Sequence, residues 1–141
     1  MVKIGIIGIN KGNGHPYSYS SIINGFKLNY LKKYCPYKSI IQYLSISQNL
    51  PFKNAAISHI YTQNLAISKK ISIISNIQTI ETNYKSLFGK VDCIILAKDD
   101  IENNHKIITY FIKKKIPIFV DKQLASNFLK LKNIITQINK Q

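Results

Sequence analysis

The residues best suited to chemistry lie in one stretch near the amino terminus, IGIIGINKGNGHPYSYSSIINGF over positions 4–26. A short apolar run ends at Ile9, a loop carries Gly8, Gly12 and Gly14, and a serine-rich helix start follows. Glycines in such a turn let backbone N–H groups approach a ligand closely, and the helix N-terminus beyond them carries partial positive charge. A phosphate or pyrophosphate is the guest this order of strand, turn and helix suits. The expected contacts are Gly8, Ile9, Asn10, Gly12, Asn13, Gly14, His15 and Ser18, with the amides around Gly12, Asn13 and Gly14 facing the pyrophosphate. The loop spacing is G-x-x-x-G-x-G rather than the dinucleotide fingerprint G-x-G-x-x-G. No acidic residue stands about 20 positions further on, where that fingerprint holds the ribose hydroxyls.

These residues need a scaffold, and the hydrophobic pattern supplies one. Strands are predicted over Lys3–Ile9, Ala56–Thr62, Ile77–Ile80, Val91–Ala97 and Pro117–Val120. Helices are predicted over Tyr19–Leu28, Leu65–Ser75, Asn83–Phe88, Glu102–Lys114 and Ser126–Ile138, and residues 29–56 read as irregular around a short helix at Ser39–Ser45. The continuous apolar run VDCIILA marks a central strand buried on both faces. Strands alternating with helices predict an α/β fold with a doubly wound, mainly parallel sheet, the first strand central and helices on both faces. Ligands of such sheets sit beyond the carboxyl ends of the strands. Here those ends are Asn10–Ser18, Gln63–Asn64, Ala97–Asp100 and Asp121–Lys122. Gln63, Asn64, Ala97, Lys98, Asp99 and Asp121 therefore join the candidate cofactor contacts. Any strand end needs a polar turn, which accounts for most of these positions singly. Lys122 differs, since it follows PIFVD directly and is placed to face a crevice.

A chain of 141 residues forms one domain. Its 45% hydrophobic content excludes disorder, and no apolar run approaches the roughly 18 residues of a membrane span. The opening VKIGIIGI lacks the form of a signal peptide, and Cys35 and Cys93 lack metal or disulfide spacing, so two reduced thiols in a cytoplasmic protein are expected. The net charge of +14 comes from twenty lysines with no arginine. Direct base readout relies on the bidentate guanidinium, so no specific nucleic-acid partner is expected, and none at a membrane. Lys32–Lys33, Lys69–Lys70 and Lys113–Lys115 are expected near helix ends, where cations complement the dipole.

Four strand-end segments together resemble the Gfo/Idh/MocA family of NAD(P)-dependent oxidoreductases. GNGHPYSYSSIINGF is similar to the first loop of one branch, and ISHIYTQN to that branch's second strand, which usually ends in T-Q-D. VDCIILAKDD resembles the fourth strand, ending in A-R-D-D, and FVDKQLA falls where the family carries E-K-P or D-K-P. The resemblance implies a Rossmann-like NAD(P)-binding domain over residues 1–141, with NAD or NADP as cofactor, and a further substrate domain not contained in this sequence. It implies hydride transfer to or from a sugar, nucleotide-sugar or polyol. Lys122 would be the catalytic lysine, polarising the reacting oxygen and joining a proton relay. No metal is implied.

Several positions depart from the family's pattern. Gln123 stands in place of the motif's proline, Asn64 in place of the aspartate, and Lys98 in place of arginine. A histidine common at the start of the helix after the fourth strand falls in register at Asn104, with His105 beside it. The resemblance thus leaves two functions: the cofactor-binding half of a dehydrogenase, inactive alone, or a non-catalytic nucleotide-binding or interaction module. A partner carrying the second domain, or a homo-oligomer, would complete the first.

Overall fold

The structure is a computed structural model and describes residues 1–140. In chain order it contains β1 (Val2–Ile7), α1 (His15–Asn24), α2 (Leu28–Tyr34), α3 (Lys38–Ile46), β2 (Ala55–Tyr61), α4 (Leu65–Ser75) and β3 (Thr79–Ile80). After a 3-10 turn over Tyr84–Leu87 come β4 (Cys93–Leu96), α5 (Ile101–Lys113), β5 (Ile118–Val120) and α6 (Phe128–Ile138). The five strands form one sheet in the order β3-β2-β1-β4-β5, every pair parallel. The order reverses between β1 and β4, which makes the crevice beyond their carboxyl ends the topological switch point.

β1 is central because both its faces are apolar: Ile6 packs with one core layer and Ile7 with the other, each fully buried. The first layer joins Ile4, Ile6, Ile57 and Ile60 to Tyr17, Leu31, Leu44 and Ile71 of α1 to α4. The second joins Ile7, Ile94 and Leu96 to Ile107, Ile108, Phe111 and Ile134 of α5 and α6. Helices therefore cover both faces, as a doubly wound sheet requires.

The predicted order of elements holds, with local corrections. α1 begins at His15, not Tyr19, because Pro16 presets the first turn behind Gly14. Within residues 29–56 the short helix predicted at Ser39–Ser45 is α3, and α2 forms there as well; both lack side-chain caps, and each is held by one buried leucine, Leu31 or Leu44. The segment Asn83–Phe88 is only a 3-10 turn. Lys32–Lys33 and Lys113 do close helices, whereas Lys69 and Lys70 lie in the middle of α4. Both cysteines are free thiols, Cys35 buried and Cys93 partly so, and burial pushes both above the ordinary thiol value.

Candidate functional site at the carboxyl ends of the strands

The glycine loop leaves β1 across the ends of its neighbours, and hydrogen bonds fix it on both sides. On the β2 side the Gly8 amide donates to the Tyr61 carbonyl at 3.1 Å and the Ile9 amide to Gln63 Oε1 at 2.9 Å. On the β4 side Asn13 Nδ2 donates to the Ala97 carbonyl at 3.3 Å. Asn13 Oδ1 accepts the His15 amide at 2.9 Å, which satisfies one donor at the start of α1. The loop is thus a clasp at the switch point, held by its own backbone amides on the β2 side and by the Asn13 side chain on the β4 side.

The glycines play different parts. A Cβ on Gly8 would stand 2.4 Å from Pro16 Cγ, so Gly8 permits the close approach of α1 to β1. A Cβ on Gly14 would stand 2.4 Å from Ile40 Cδ1 and 2.9 Å from Tyr37 Cδ2, so Gly14 makes room for α3. Gly12 has φ +89° and nothing within 4 Å of its Cβ direction, which leaves its backbone open on that side. Of the three amides expected to face a pyrophosphate, that of Asn13 instead closes a turn on the Asn10 carbonyl at 3.1 Å. The Gly12 amide faces the Tyr37 hydroxyl.

Five side chains meet on the β4–β5 side. His15 Nδ1 contacts Asp121 Oδ2 at 2.5 Å, and the Tyr19 hydroxyl donates to Asp121 Oδ1 at 2.6 Å. Lys122 Nζ lies 3.6 Å from Asp121 Oδ2 and 3.9 Å from Asp99 Oδ1. Burial pushes the Asp121 carboxyl up, but the hydrogen bonds from Tyr19 and His15 and the Lys122 charge outweigh it and hold it below its ordinary value. The Tyr19 phenol is pushed up to about 12 by burial and by its bond to Asp121. With the carboxylate accepting at Nδ1, the imidazole proton sits there and Nε2 is left as the basic face.

Other predicted residues are engaged by the scaffold. Lys98 is buried and pairs with Asp100 at 2.8 Å. Asp100 also caps α5 by accepting from the Asn103 amide, and the Lys98 contact holds its carboxyl below the ordinary value despite burial. Asn104, fully buried, donates from Nδ2 to the Lys98 carbonyl at 2.7 Å and so pins the turn after β4, while His105 beside it belongs to the same helix. Ser18 turns its hydroxyl back to the His15 carbonyl at 3.1 Å. Asn64 Oδ1 caps α4, accepting from the Ala66 and Ile67 amides. Ala97 is buried under the loop, and Asp99 is exposed.

Beside the loop, on the β2 side, lies a pocket of about 340 Å³. Ile9, Asn10 and Lys11 form one wall, Tyr34 and Tyr37 a second, Ile67 and Lys70 a third. Tyr37, Lys11 and Lys70 were not among the sequence candidates. Lys70 was findable, since it follows Ile67 by one helical turn on α4. Tyr37 carries no local signal, being brought to Gly12 only by the packing of α3.

No protein-family model matches the chain, and no curated relative does. Solved structures do match over 99% of its length. One is a Gfo/Idh/MocA family oxidoreductase from Vibrio cholerae, at 16% identity and a TM-score of 0.65, of which 36% is covered. Another is myo-inositol 2-dehydrogenase from Lactobacillus plantarum, at 13% identity and a TM-score of 0.66, of which 33% is covered. A third is the UDP-N-acetylglucosamine 3-dehydrogenase GnnA from Acidithiobacillus ferrooxidans, at 7% identity and a TM-score of 0.64, of which 35% is covered. The chain spans about a third of the length of each. It therefore has the Rossmann-like fold found in part of these oxidoreductases, as the four motifs implied. Among the described residues no helix is long and apolar enough to cross a membrane.

Proposed function

We propose that this chain is the nicotinamide-dinucleotide-binding portion of a Gfo/Idh/MocA-type oxidoreductase acting on a sugar, nucleotide-sugar or polyol. The observation that carries the proposal is the clasp itself: a glycine loop from the central strand at the switch point, anchored to β2 and β4, with open space on the Cβ side of Gly12. The residues present fit a dinucleotide. Open space above Gly12 admits a pyrophosphate, and the adjoining pocket of about 340 Å³ admits one nucleoside. When bound, the nicotinamide would supply the hydride chemistry.

The chain's own groups would serve the reacting oxygen. Lys122, held near Asp99 and Asp121, would polarise it, and His15, oriented by Asp121, would take or return its proton at Nε2. These groups stand in the open: the side chains of His15, Asp99 and Lys122 are 41%, 45% and 30% exposed. A second domain or a partner would have to enclose them. The alternative, a non-catalytic nucleotide-binding module, draws support from Asn64, whose side-chain oxygen is occupied as a helix cap.

Calorimetric titration of the purified chain with NAD⁺, NADP⁺, NADH and NADPH tests the proposal. Saturable binding of at least one is expected, and loss of that binding in Gly12→Val. Absence of binding by all four would refute it.

A further inference from the structure

We infer that the pocket beside the glycine loop selects the 2′-phosphorylated dinucleotide, NADP(H) over NAD(H), and that Lys11 and Lys70 are its phosphate-binding residues. The inference rests on the dinucleotide-binding function proposed above and names the form of cofactor taken.

The position of the pocket identifies which end of the cofactor enters it. It lies on the β2 side of the loop, between that loop, α1, the α2–α3 connection and α4, the helix that follows β2, and a doubly wound fold holds the adenosine ribose beyond its second strand. Selection between the two cofactors is then a matter of hydrogen-bond polarity at the end of β2. A free ribose needs acceptors for its two hydroxyls, which a carboxylate supplies, whereas a phosphomonoester needs donors and positive charge.

The end of β2 offers donors. Gln63 Oε1 is occupied by the Ile9 amide, and Asn64 Oδ1 by the Ala66 and Ile67 amides. Backbone N–H groups fix both orientations, so each side chain keeps donors, not an acceptor, as its remaining hydrogen-bonding group; neither residue lines the pocket itself. Positive charge is also there: Lys11 and Lys70 line the pocket, and neither pairs with a carboxylate among the described residues.

The charge distribution across the crevice agrees. Of six acidic residues, Asp99, Asp100, Glu102 and Asp121 lie after β4 and β5, on the far side of the loop. Glu81 pairs with Lys90, and Asp92 accepts the Lys3 amide. No acidic side chain lines the pocket. Tyr34 and Tyr37 add aromatic walls for the base.

Isothermal titration of the full chain with NADP⁺ and NAD⁺ at low salt tests this, using the parent, Lys11→Ala, Lys70→Ala and Lys132→Ala on the remote α6. All three lysines are exposed, so the fold is retained, which circular dichroism checks. NADP⁺ is expected to bind about tenfold tighter than NAD⁺, the scale of a charge-assisted contact in a partly open site. Each pocket variant should weaken NADP⁺ by about three- to tenfold and leave NAD⁺ within about twofold, while Lys132→Ala changes neither. Equal affinity for the two cofactors, or an equal loss in Lys132→Ala, would overturn the inference and leave the dinucleotide site standing. Binding of neither cofactor would overturn both.

Discussion

His15 and Asp121, 106 positions apart, meet at 2.5 Å across the carboxyl ends of β4 and β5. The contact joins the first residue of α1 to the residue just after β5, so it ties the glycine loop to the segment that bears Lys122. Tyr19, one turn along α1 from His15, takes the second carboxylate oxygen. One carboxylate therefore sets the positions of an imidazole, a phenol and an ammonium group.

Acid should loosen this arrangement first. Asp121, Asp100 and Glu81 are each held below their ordinary values of 3.8, 3.8 and 4.5: in Asp121 and Glu81 burial opposes and the hydrogen bonds of Tyr19 and His15, or of Lys90 and Ser86, prevail, while in Asp100 the Lys98 contact is the largest cause. The unfolded chain then binds more protons as pH falls through those ordinary values, so the stabilisation is complete above them and lost on acidification. The melting temperature is expected to fall from about pH 5 to about pH 3. Asp121→Asn should start lower and show a shallower fall over the same range, and parallel curves would show that Asp121 does not contribute.

At the alkaline end the tyrosines report the same contacts. Tyr17 and Tyr19 are both pushed up to about 12, chiefly by burial, with Asp121 adding to the effect on Tyr19. A group whose proton is held more tightly in the folded state stabilises below its ordinary value and ceases to do so as pH rises through the folded one. Spectrophotometric titration of phenolate should show a late-ionising class in the parent, and Tyr19→Phe should remove part of it. Asp121→Asn should bring Tyr19 back toward ordinary tyrosine behaviour.

The loop glycines should separate binding from stability. Gly8→Ala pushes a methyl group into the Pro16 ring and is expected to cost about 1–3 kcal/mol, read by chemical denaturation. Gly14→Val should destabilise for the same reason, against Ile40 and Tyr37. Gly12→Ala meets no atom, and its φ of +89° carries a penalty of about 1–2 kcal/mol. Gly12 variants should lose dinucleotide affinity well beyond their modest loss of stability.

The same contrast shows how far the sequence could be read. β1, its loop and the start of α1 were legible because a buried central strand must be apolar on both faces and a turn at its end needs glycine. α2 was not, since it has no side-chain cap and depends on a single leucine, Leu31, reaching a core assembled by distant strands, whereas α3 was legible as a short helix at Ser39–Ser45. Strand-end positions such as Asp121, Lys98 and Asn64 were located correctly as polar turns beside the crevice. Their partners were hidden, because pairings such as His15 with Asp121 exist only once β5 is laid beside β4. Local rules find where a polar residue stands, and tertiary structure decides what it faces.

Asn104 offers a direct test of that distinction. It stands in register with a histidine of the family pattern, yet here it is fully buried and holds the Lys98 carbonyl at 2.7 Å. Asn104→Ala should leave that carbonyl without its partner and lower unfolding free energy by about 1–3 kcal/mol. Dinucleotide affinity, normalised to folded protein, should change little. A large loss of affinity in a stable variant would instead mark Asn104 as a ligand contact.

The chain of residues 1–141 alone is expected to bind cofactor without catalysing turnover. A hydride step needs the substrate carbon at near-attack distance from the nicotinamide, and positioning of that kind accounts for about 7–11 kcal/mol of barrier lowering. The strand ends can hold a cofactor along the crevice, but Lys122, Asp99 and His15 face solvent on the side where a substrate would lie. Enclosure must therefore come from outside these residues. Adding a separately expressed second domain of a Gfo/Idh/MocA oxidoreductase, with polyols and sugars as substrates and absorbance at 340 nm as the readout, supplies that enclosure. Turnover should then appear and be abolished by Lys122→Ala, while His15→Asn should lower the rate. Steady reduction of cofactor by the chain alone would show that the site is complete without a partner.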